Sequence, residues 1–333
     1  MTMAWRAAVI GCGKIGSEYD DDPKRKRISS HAGAYSSVKG AKLVAVADVN
    51  REKAAKCKER WDAPASYHSA EEMFAKEKID IVSICTHPDS HAELVRLAAR
   101  HGVKAIFCEK PMAKTLAEAD EMIALCEKNG ILLMIDHQRR FDSLYRQVRS
   151  SIMEGKLGKP RQASFYYVKG IMNTGSHMFD MMRFLFGDVK EVIAFPSANP
   201  SSLPDDPNLD GFVTFKDGMR CCVQALDVDE YGMFEIDIYG SLGRLRISHY
   251  GSGFEYYAAM ESRQFSGMRE LYPAKAPFDA KPSKSPLVEG VKHMLACLDG
   301  KEEPVSTGED GRRALELVQA FKESAKTGKT VIL

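Results

Sequence analysis

The chain has 333 residues, longer than one typical core supports and comfortable for two domains. Hydrophobic residues make up 44% and charged residues 28%, an ordinary globular balance, and the formal net charge of +1 supplies no field to recruit nucleic acid or an anionic membrane. The opening Ala7-Ala8-Val9-Ile10 run is too short for a signal h-region, no other apolar run approaches membrane-spanning length, and eight cysteines occur without a Cys-x-x-Cys pair. Reduced, buried thiols in a cytoplasmic protein fit this usage better than disulfides or a metal site, and no metal is expected.

Ala7 to Ile10 reads as a buried strand that runs into Gly11-Cys12-Gly13-Lys14-Ile15-Gly16. A Gly-x-Gly-x-x-Gly turn after a strand lets backbone N–H groups approach a pyrophosphate unobstructed by Cβ atoms. A second strand, Leu43 to Ala47, ends in Asp48, whose carboxylate can accept from both ribose hydroxyls of an adenosine. Gly16 and Asp48 lie 32 positions apart, against the roughly 20 usual for this motif. The excess falls between Gly16 and His31, where Pro23 and charged runs break any amphipathic helix. It reads as a loop inserted early in the first helix, either a solvated excursion or a lid or phosphate clamp formed by Lys24 to Arg27.

Strand and helix signals then alternate. Ser69-Ala70-Glu71-Glu72 reads as a capping box, Ile79 to Cys85 as a strand, Ala92 to Arg100 as a helix, and Ala105 to Cys108 as a strand. Thr115-Leu116-Ala117-Glu118 caps a helix that Gly130 ends, before a strand from Ile131 to Ile135. Such alternation predicts a doubly wound parallel sheet, a dinucleotide-binding domain over residues 1–137.

Beyond His137 the pattern changes. Phe141 to Met153 reads as a helix closed by Gly155, and Gln162 to Val168 as a strand. Gly211 to Phe215 joins Met219 to Val223 through Asp217-Gly218 as a hairpin. Phe234, Ile236 and Ile238 alternate with acidic residues, and Arg244 to Ser248 follows a Gly-containing turn. Residues 138–333 are therefore expected to form an α/β domain with an open, mostly antiparallel sheet, interrupted by Pro-rich connections at 197–208 and 273–286.

Two segments carry candidate chemistry. Cys108-Glu109-Lys110-Pro111 stands at the C-terminal end of a sheet strand, where open α/β sheets bind ligands, and its lysine can stabilise a developing alkoxide. Asn173-Thr174-Gly175-Ser176-His177-Met178-Phe179-Asp180 places a histidine at a helix start with an aspartate three positions on. Such a histidine can carry a proton near neutrality.

The order of the Gly-rich turn, Glu109-Lys110-Pro111 and Gly175-x-His177-x-x-Asp180 resembles the glucose–fructose oxidoreductase/inositol dehydrogenase (Gfo/Idh/MocA) family. Further matches are Thr86 and Pro88 before His91, Arg140-Phe141-Asp142, Gly155-Lys156-Leu157-Gly158, and the stretch from Pro304 through Thr327-Gly328-Lys329. The resemblance implies a Rossmann domain and a substrate domain whose open sheet builds a homodimer or homotetramer. It implies hydride transfer between NAD, or NADP, and a secondary alcohol of a sugar, inositol or nucleotide sugar. Lys110 would be the active-site lysine, His177 the acid/base, and Pro111 the residue after a cis bond; Arg140 and Asn173 would join them at the substrate. Cofactor contacts would come from Gly11, Gly13, Lys14, Ile15, Gly16, Asp48, Arg51, Thr86, Pro88, His91, Glu109 and Lys110. Asn173 departs from the aspartate that the family usually carries four positions before the histidine. That amide favours one alternative, a cofactor-binding regulator without turnover; a second, NAD-assisted glycoside hydrolysis, is a reaction that the same fold supports in some relatives. The basic loop inclines the substrate toward phosphorylated or nucleotide-linked sugars.

Overall fold

The computed structural model describes residues 4–279 and 281–333, which divide into two compact units. The first comprises Met1–Asp142 and Ser283–Arg313; the second comprises Ser143–Pro282 and Ala314–Leu333. The chain crosses between the two units three times, after Asp142, after Pro282 and after Arg313, where the sequence reading expected a single boundary at residue 137.

The first unit begins with β1 (Trp5–Ile10), α1 (His31–Ser37), β2 (Ala41–Ala47), α2 (Arg51–Arg60), β3 (Ala65–Tyr67), α3 (Ala70–Lys76) and β4 (Ile81–Ile84). It continues with α4 (His91–Arg100), β5 (Ala105–Cys108), α5 (Leu116–Lys128) and β6 (Leu132–Ile135). The six strands lie parallel in the order β3-β2-β1-β4-β5-β6, with β1 between β2 and β4. The sheet order reverses beside β1, the switch point at which such sheets bind dinucleotides. Strands buried on both faces explain their unbroken apolar runs: every residue of β4 and β5 is buried. Helix starts follow their caps. Ser69 accepts from the Glu72 N–H at 3.1 Å, and Thr115 with Glu118 forms a reciprocal capping box on α5.

The inserted segment does not interrupt a helix, as the sequence suggested; it lies between the glycine-rich turn and α1. Glu18–Asp21 forms one 3-10 turn, and Ser30 then caps α1 by accepting from the Gly33 N–H. Acidic residues hold the segment in place. Asp20 accepts from the Ser29 N–H at 2.7 Å, and Asp21 pairs with Lys56 and Arg60 of α2. Lys24, Lys26 and Arg27 are exposed.

The second unit contains α6 (Ser143–Met153), β7 (Pro160–Val168), α7 (Ser176–Phe186), β8 (Val189–Pro196), β9 (Leu209–Phe215) and β10 (Arg220–Leu226). It adds β11 (Phe234–Gly240), β12 (Gly243–Ser248), β13 (Gly253–Glu261) and β14 (Arg269–Pro273). The chain closes with α8 (Pro286–Leu298) of the first unit, α9 (Gly308–Thr327) and β15 (Val331–Ile332). The nine-stranded sheet runs β14-β13-β12-β11-β7-β10-β9-β8-β15, antiparallel except where β7 meets β10. Its inner face packs Phe165, Tyr167, Val213, Phe215, Ile236 and Ile238 against α6, α7 and the C-terminal part of α9. Phe179 of α7 meets Phe321 of α9 with ring centroids 4.7 Å apart. Each such ring contributes roughly 1.5–3 kcal/mol by burial. The outer face carries a cross-strand row from Ile193 and Phe212 through Cys222 and Ser164 to Asp237 and Arg246.

Candidate functional site

In the first unit the glycine-rich turn leaves β1 with Gly11 at a φ of 91°, where a Cβ would lie 2.8 Å from the Cys85 backbone. Gly16 lets the chain cross back over Gly11: a Cβ there would stand 1.8 Å from the Gly11 carbonyl oxygen. Gly13 differs, since a Cβ would meet only Lys53 Nζ at 3.9 Å, so the space above the turn is open. Among the described residues, the N–H groups of Gly13, Lys14 and Ile15 have no protein acceptor. Three unsatisfied donors under an open space form a receptor for a pyrophosphate. Lys53, on α2, adds a cation there that no motif in the sequence singles out, and it also pairs with Glu18 at 3.5 Å.

Asp48 follows β2. Its Oδ2 accepts from the Cys12 N–H at 2.7 Å and its Oδ1 from the Asn50 N–H at 2.8 Å, fixing a carboxylate beside the turn with lone pairs remaining for ribose hydroxyls. Arg51, the first residue of α2, is exposed. Turn and carboxylate together fit a dinucleotide such as NAD.

The other expected cofactor contacts divide into two groups. Thr86 is half-buried, with Oγ1 2.7 Å from Ser90 Oγ, and Pro88 opens the short turn Pro88–Ser90. His91 is buried, its ring nitrogens 3.2 Å from the Met112 carbonyl and 3.1 Å from the Thr86 carbonyl, and burial pushes its pKa down. It braces the loops after β4 and β5. Glu109 is also turned inward: Oε1 faces His31 Nε2 at 3.1 Å, and Oε2 accepts the Lys110 N–H at 3.2 Å. Neither His91 nor Glu109 is placed as a direct cofactor contact.

Lys110 is half-buried after the fully buried β5, and the Lys110–Pro111 peptide is cis. Arg140 does not fit the expected substrate role. It is buried within its own unit, donating to the Val305 carbonyl at 2.8 Å and pairing with Asp310 at 3.0 Å.

In the second unit, Lys169 and Gly170 both have positive φ, 67° and 87°, and open a π-helical turn, Gly170–Gly175, that leads into α7. Strain in a non-glycine residue and a π-turn are features that cluster at functional sites. Asp206, at the end of the Pro-rich connection, anchors this turn: Oδ1 accepts from Met172 N–H at 2.7 Å and Oδ2 from Asn173 N–H at 2.8 Å. Asn173 and His177 are half-exposed, whereas Asp180 is buried in α7. The histidine and the aspartate therefore do not present to solvent together.

A doubly wound sheet with this turn, followed by an α/β unit with a large open sheet, defines an NAD-binding oxidoreductase. Two family profiles match the chain: "Oxidoreductase family, NAD-binding Rossmann fold" over residues 5–137 and "Oxidoreductase family, C-terminal alpha/beta domain" over residues 170–333. The chain belongs to the Gfo/Idh/MocA oxidoreductase family. It is 29% identical to a D-apiose dehydrogenase of Paraburkholderia graminis, over 99% of this chain and 90% of that protein. It is 28% identical to a myo-inositol 2-dehydrogenase of Thermotoga maritima, over 98% of each. In fold it matches a crystal structure of an oxidoreductase from Agrobacterium radiobacter in complex with NAD+, L-tartaric acid and magnesium. That match has a TM-score of 0.80 at 23% identity, covering 99% of this chain and 98% of that one. The protein is an NAD(P)-dependent oxidoreductase acting on CH–OH groups.

Proposed function

We propose that the protein is a cytoplasmic dehydrogenase that oxidises a secondary alcohol of a sugar or inositol, or reduces the corresponding ketone. The observation that carries the assignment is Lys110: on leaving the buried strand β5, the chain places a half-buried lysine at the C-terminal end of the sheet that holds the dinucleotide turn. The nicotinamide supplies a hydride acceptor or donor when bound. Lys110 donates to the substrate oxygen and stabilises its developing charge, and His177 takes the hydroxyl proton. Asn173 orients a substrate hydroxyl through its amide. The dehydrogenase names of the relatives support a polyol substrate.

Assembly as a homodimer or homotetramer is supported by the outer face of the nine-stranded sheet. Phe195, Phe212, Tyr239 and Leu271 are exposed there or beside it, apolar surface that a second copy would cover.

The test is nicotinamide absorbance over a panel of pentoses, inositols, sugar phosphates and nucleotide sugars, with both NAD and NADP. Turnover with one neutral polyol far above the others is expected. Glycan release or dehydration without net nicotinamide reduction would replace the assignment. A sedimentation measurement showing a monomer at micromolar concentration would remove the oligomer.

A further inference from the structure

His31 touches both halves of the chemistry in the first unit, yet the steps described above do not use it. Its backbone belongs to the cofactor turn: the His31 N–H donates to the Ile15 carbonyl and the Ala32 N–H to the Gly16 carbonyl, each at 3.0 Å. Its side chain is fully buried and reaches the ends of three adjacent strands. Nδ1 lies 2.8 Å from Ser83 Oγ on β4; Nε2 lies 3.1 Å from Glu109 Oε1 after β5 and 3.6 Å from Asp136 Oδ2 after β6. Tyr35 OH meets the same Ser83 hydroxyl at 2.8 Å, and the Phe107 ring packs edge-on at 5.0 Å. Glu109 passes the connection forward, because its second oxygen accepts the Lys110 N–H.

We propose that His31 is a positioning residue that fastens the strand end presenting Lys110 to the turn that receives the cofactor, acting through Glu109. The inference rests on the assignment of Lys110 to the substrate oxygen. Charge explains why a histidine is needed. Two carboxylates, both buried, would otherwise face each other with no cation between them, an arrangement that desolvation makes costly. An imidazolium lies against both: Nε2 donates to Glu109 and stands 3.6 Å from Asp136 Oδ2 as an ion-pair contact, while Nδ1 donates to Ser83.

The titratable groups facing the ring are Tyr35 from α1, Cys85 after β4, Glu109 after β5 and Asp136 after β6, with Lys110 acting on Glu109. Burial works to deprotonate His31; the Cys85 thiol, Asp136 and Glu109 outweigh it, and the ring is held well above its usual value. Cys85 is itself pushed up by burial, with the His31 charge pulling it down. Donor atoms of His31, Glu109 and Asp136 lie within 4.8 Å of one another, a spread a metal ion could also span. The hydrogen-bond spacing to Glu109 gives the cation's place to the ring.

The test compares His31→Gln, which keeps an N–H donor and drops the charge, with the double variant His31→Gln/Asp136→Asn, which removes one anion as well. His31→Gln should lower kcat roughly 10–100-fold, the effect of a slight misplacement of a reacting group. KM and NAD affinity should stay within about threefold. The double variant should recover much of the loss; a role in packing alone predicts that it is no better than the single. Independently of any substrate, the His31 ring carbon signals in NMR of the NAD-bound enzyme should remain those of an imidazolium at pH 7.5. Glu109→Gln, a second route if His31→Gln does not fold, should lower the pH at which those signals titrate. Wild-type kcat in His31→Gln, a neutral ring at pH 7.5, or a stoichiometric divalent metal in the purified enzyme would each overturn the proposal. Lys110→Ala, run alongside, separates the two assignments. Full turnover in that variant removes the role of the lysine, whereas an inactive Lys110→Ala beside a fully active His31→Gln removes the clamp.

Discussion

The Cys12 N–H donates to Asp48 Oδ2 at 2.7 Å, so the carboxylate expected to face an adenosine ribose is tied to the turn expected to receive a pyrophosphate. With Oδ1 held by the Asn50 N–H, the carboxylate cannot swing away from a 2′-phosphate. Repulsion and lost hydroxyl hydrogen bonds both favour NAD over NADP, and exposed Arg51 only partly offsets them. Asp48→Ala should weaken NAD binding by roughly 10–100-fold, the loss of one or two hydrogen bonds to a charged group, and move the NAD-to-NADP ratio toward NADP. Titration of both oxidised cofactors into wild type and variant checks this. Tighter NADP binding by the wild type would reverse the assignment.

Lys110→Ala and His177→Ala should each lower turnover by roughly 10²–10⁴, the usual worth of a positioned proton-transfer group. Neither residue belongs to the turn or to Asp48, so NAD affinity should hold within a few-fold. Isothermal titration beside steady-state kinetics separates the two quantities. Near-wild-type turnover in either variant removes that residue from the mechanism.

Asp136 gives a stability prediction with a definite sign. Burial first, and then the neighbouring Glu109 charge, raise its carboxyl from 3.8 to about 7, against the pull of His31. A raised folded value means that the native state holds the proton more tightly than the unfolded chain. Its stabilising effect is complete at acid pH and is lost as pH rises through about 7. Asp136→Asn stays neutral throughout. The Tm of the variant relative to wild type should therefore rise between pH 5.5 and pH 8.5, by roughly 2–4 °C for each kcal/mol relieved. Glu109, whose value is lowered, titrates below that window and leaves the comparison clean. A flat Tm difference across the range would show that Asp136 is ionised throughout.

The legible parts of the chain are those in which a local pattern carries the whole signal. Strand β5 falls at Ala105–Cys108 as the sequence indicates, because a strand buried on both faces is a plain apolar run. Peripheral strands lack that contrast: β3, at the edge of its sheet, is three half-buried residues, and β13, next to the edge strand β14, is mostly half-buried along its length, so neither stands out. Sequence-distant contacts left no trace either. His31 lies 52 positions from Ser83 and 78 from Glu109, and only the parallel sheet order brings β4, β5 and β6 to one ring. Asp206 sits in a Pro-rich connection that reads as a linker, and its work is done on backbone N–H groups that no side-chain pattern marks. Arg140 shows the opposite error. Its neighbours Phe141 and Asp142 match the family pattern, but the side chain is buried and one guanidinium nitrogen is engaged by Val305 and Asp310.

The last prediction concerns Asn173, where the family usually has an aspartate. A carboxylate near an imidazole stabilises the protonated ring, and an amide supplies no such charge. In the oxidative direction His177 must be unprotonated to accept the hydroxyl proton, so kcat/KM falls on the acid side as the ring is protonated. Asn173→Asp should therefore keep the fold and move the acid limb of that profile to higher pH. The backbone of residue 173 already donates to Asp206 Oδ2 at 2.8 Å, so the new carboxylate enters near an existing one. Repulsion between the two would loosen the π-turn, and Asn173→Asp/Asp206→Asn separates that effect from coupling to the ring. If the ring senses the charge, both the single and the double variant shift the limb in the same direction, and a His177→Ala control loses it. An unshifted limb in an active Asn173→Asp enzyme would show that residue 173 and His177 are not coupled.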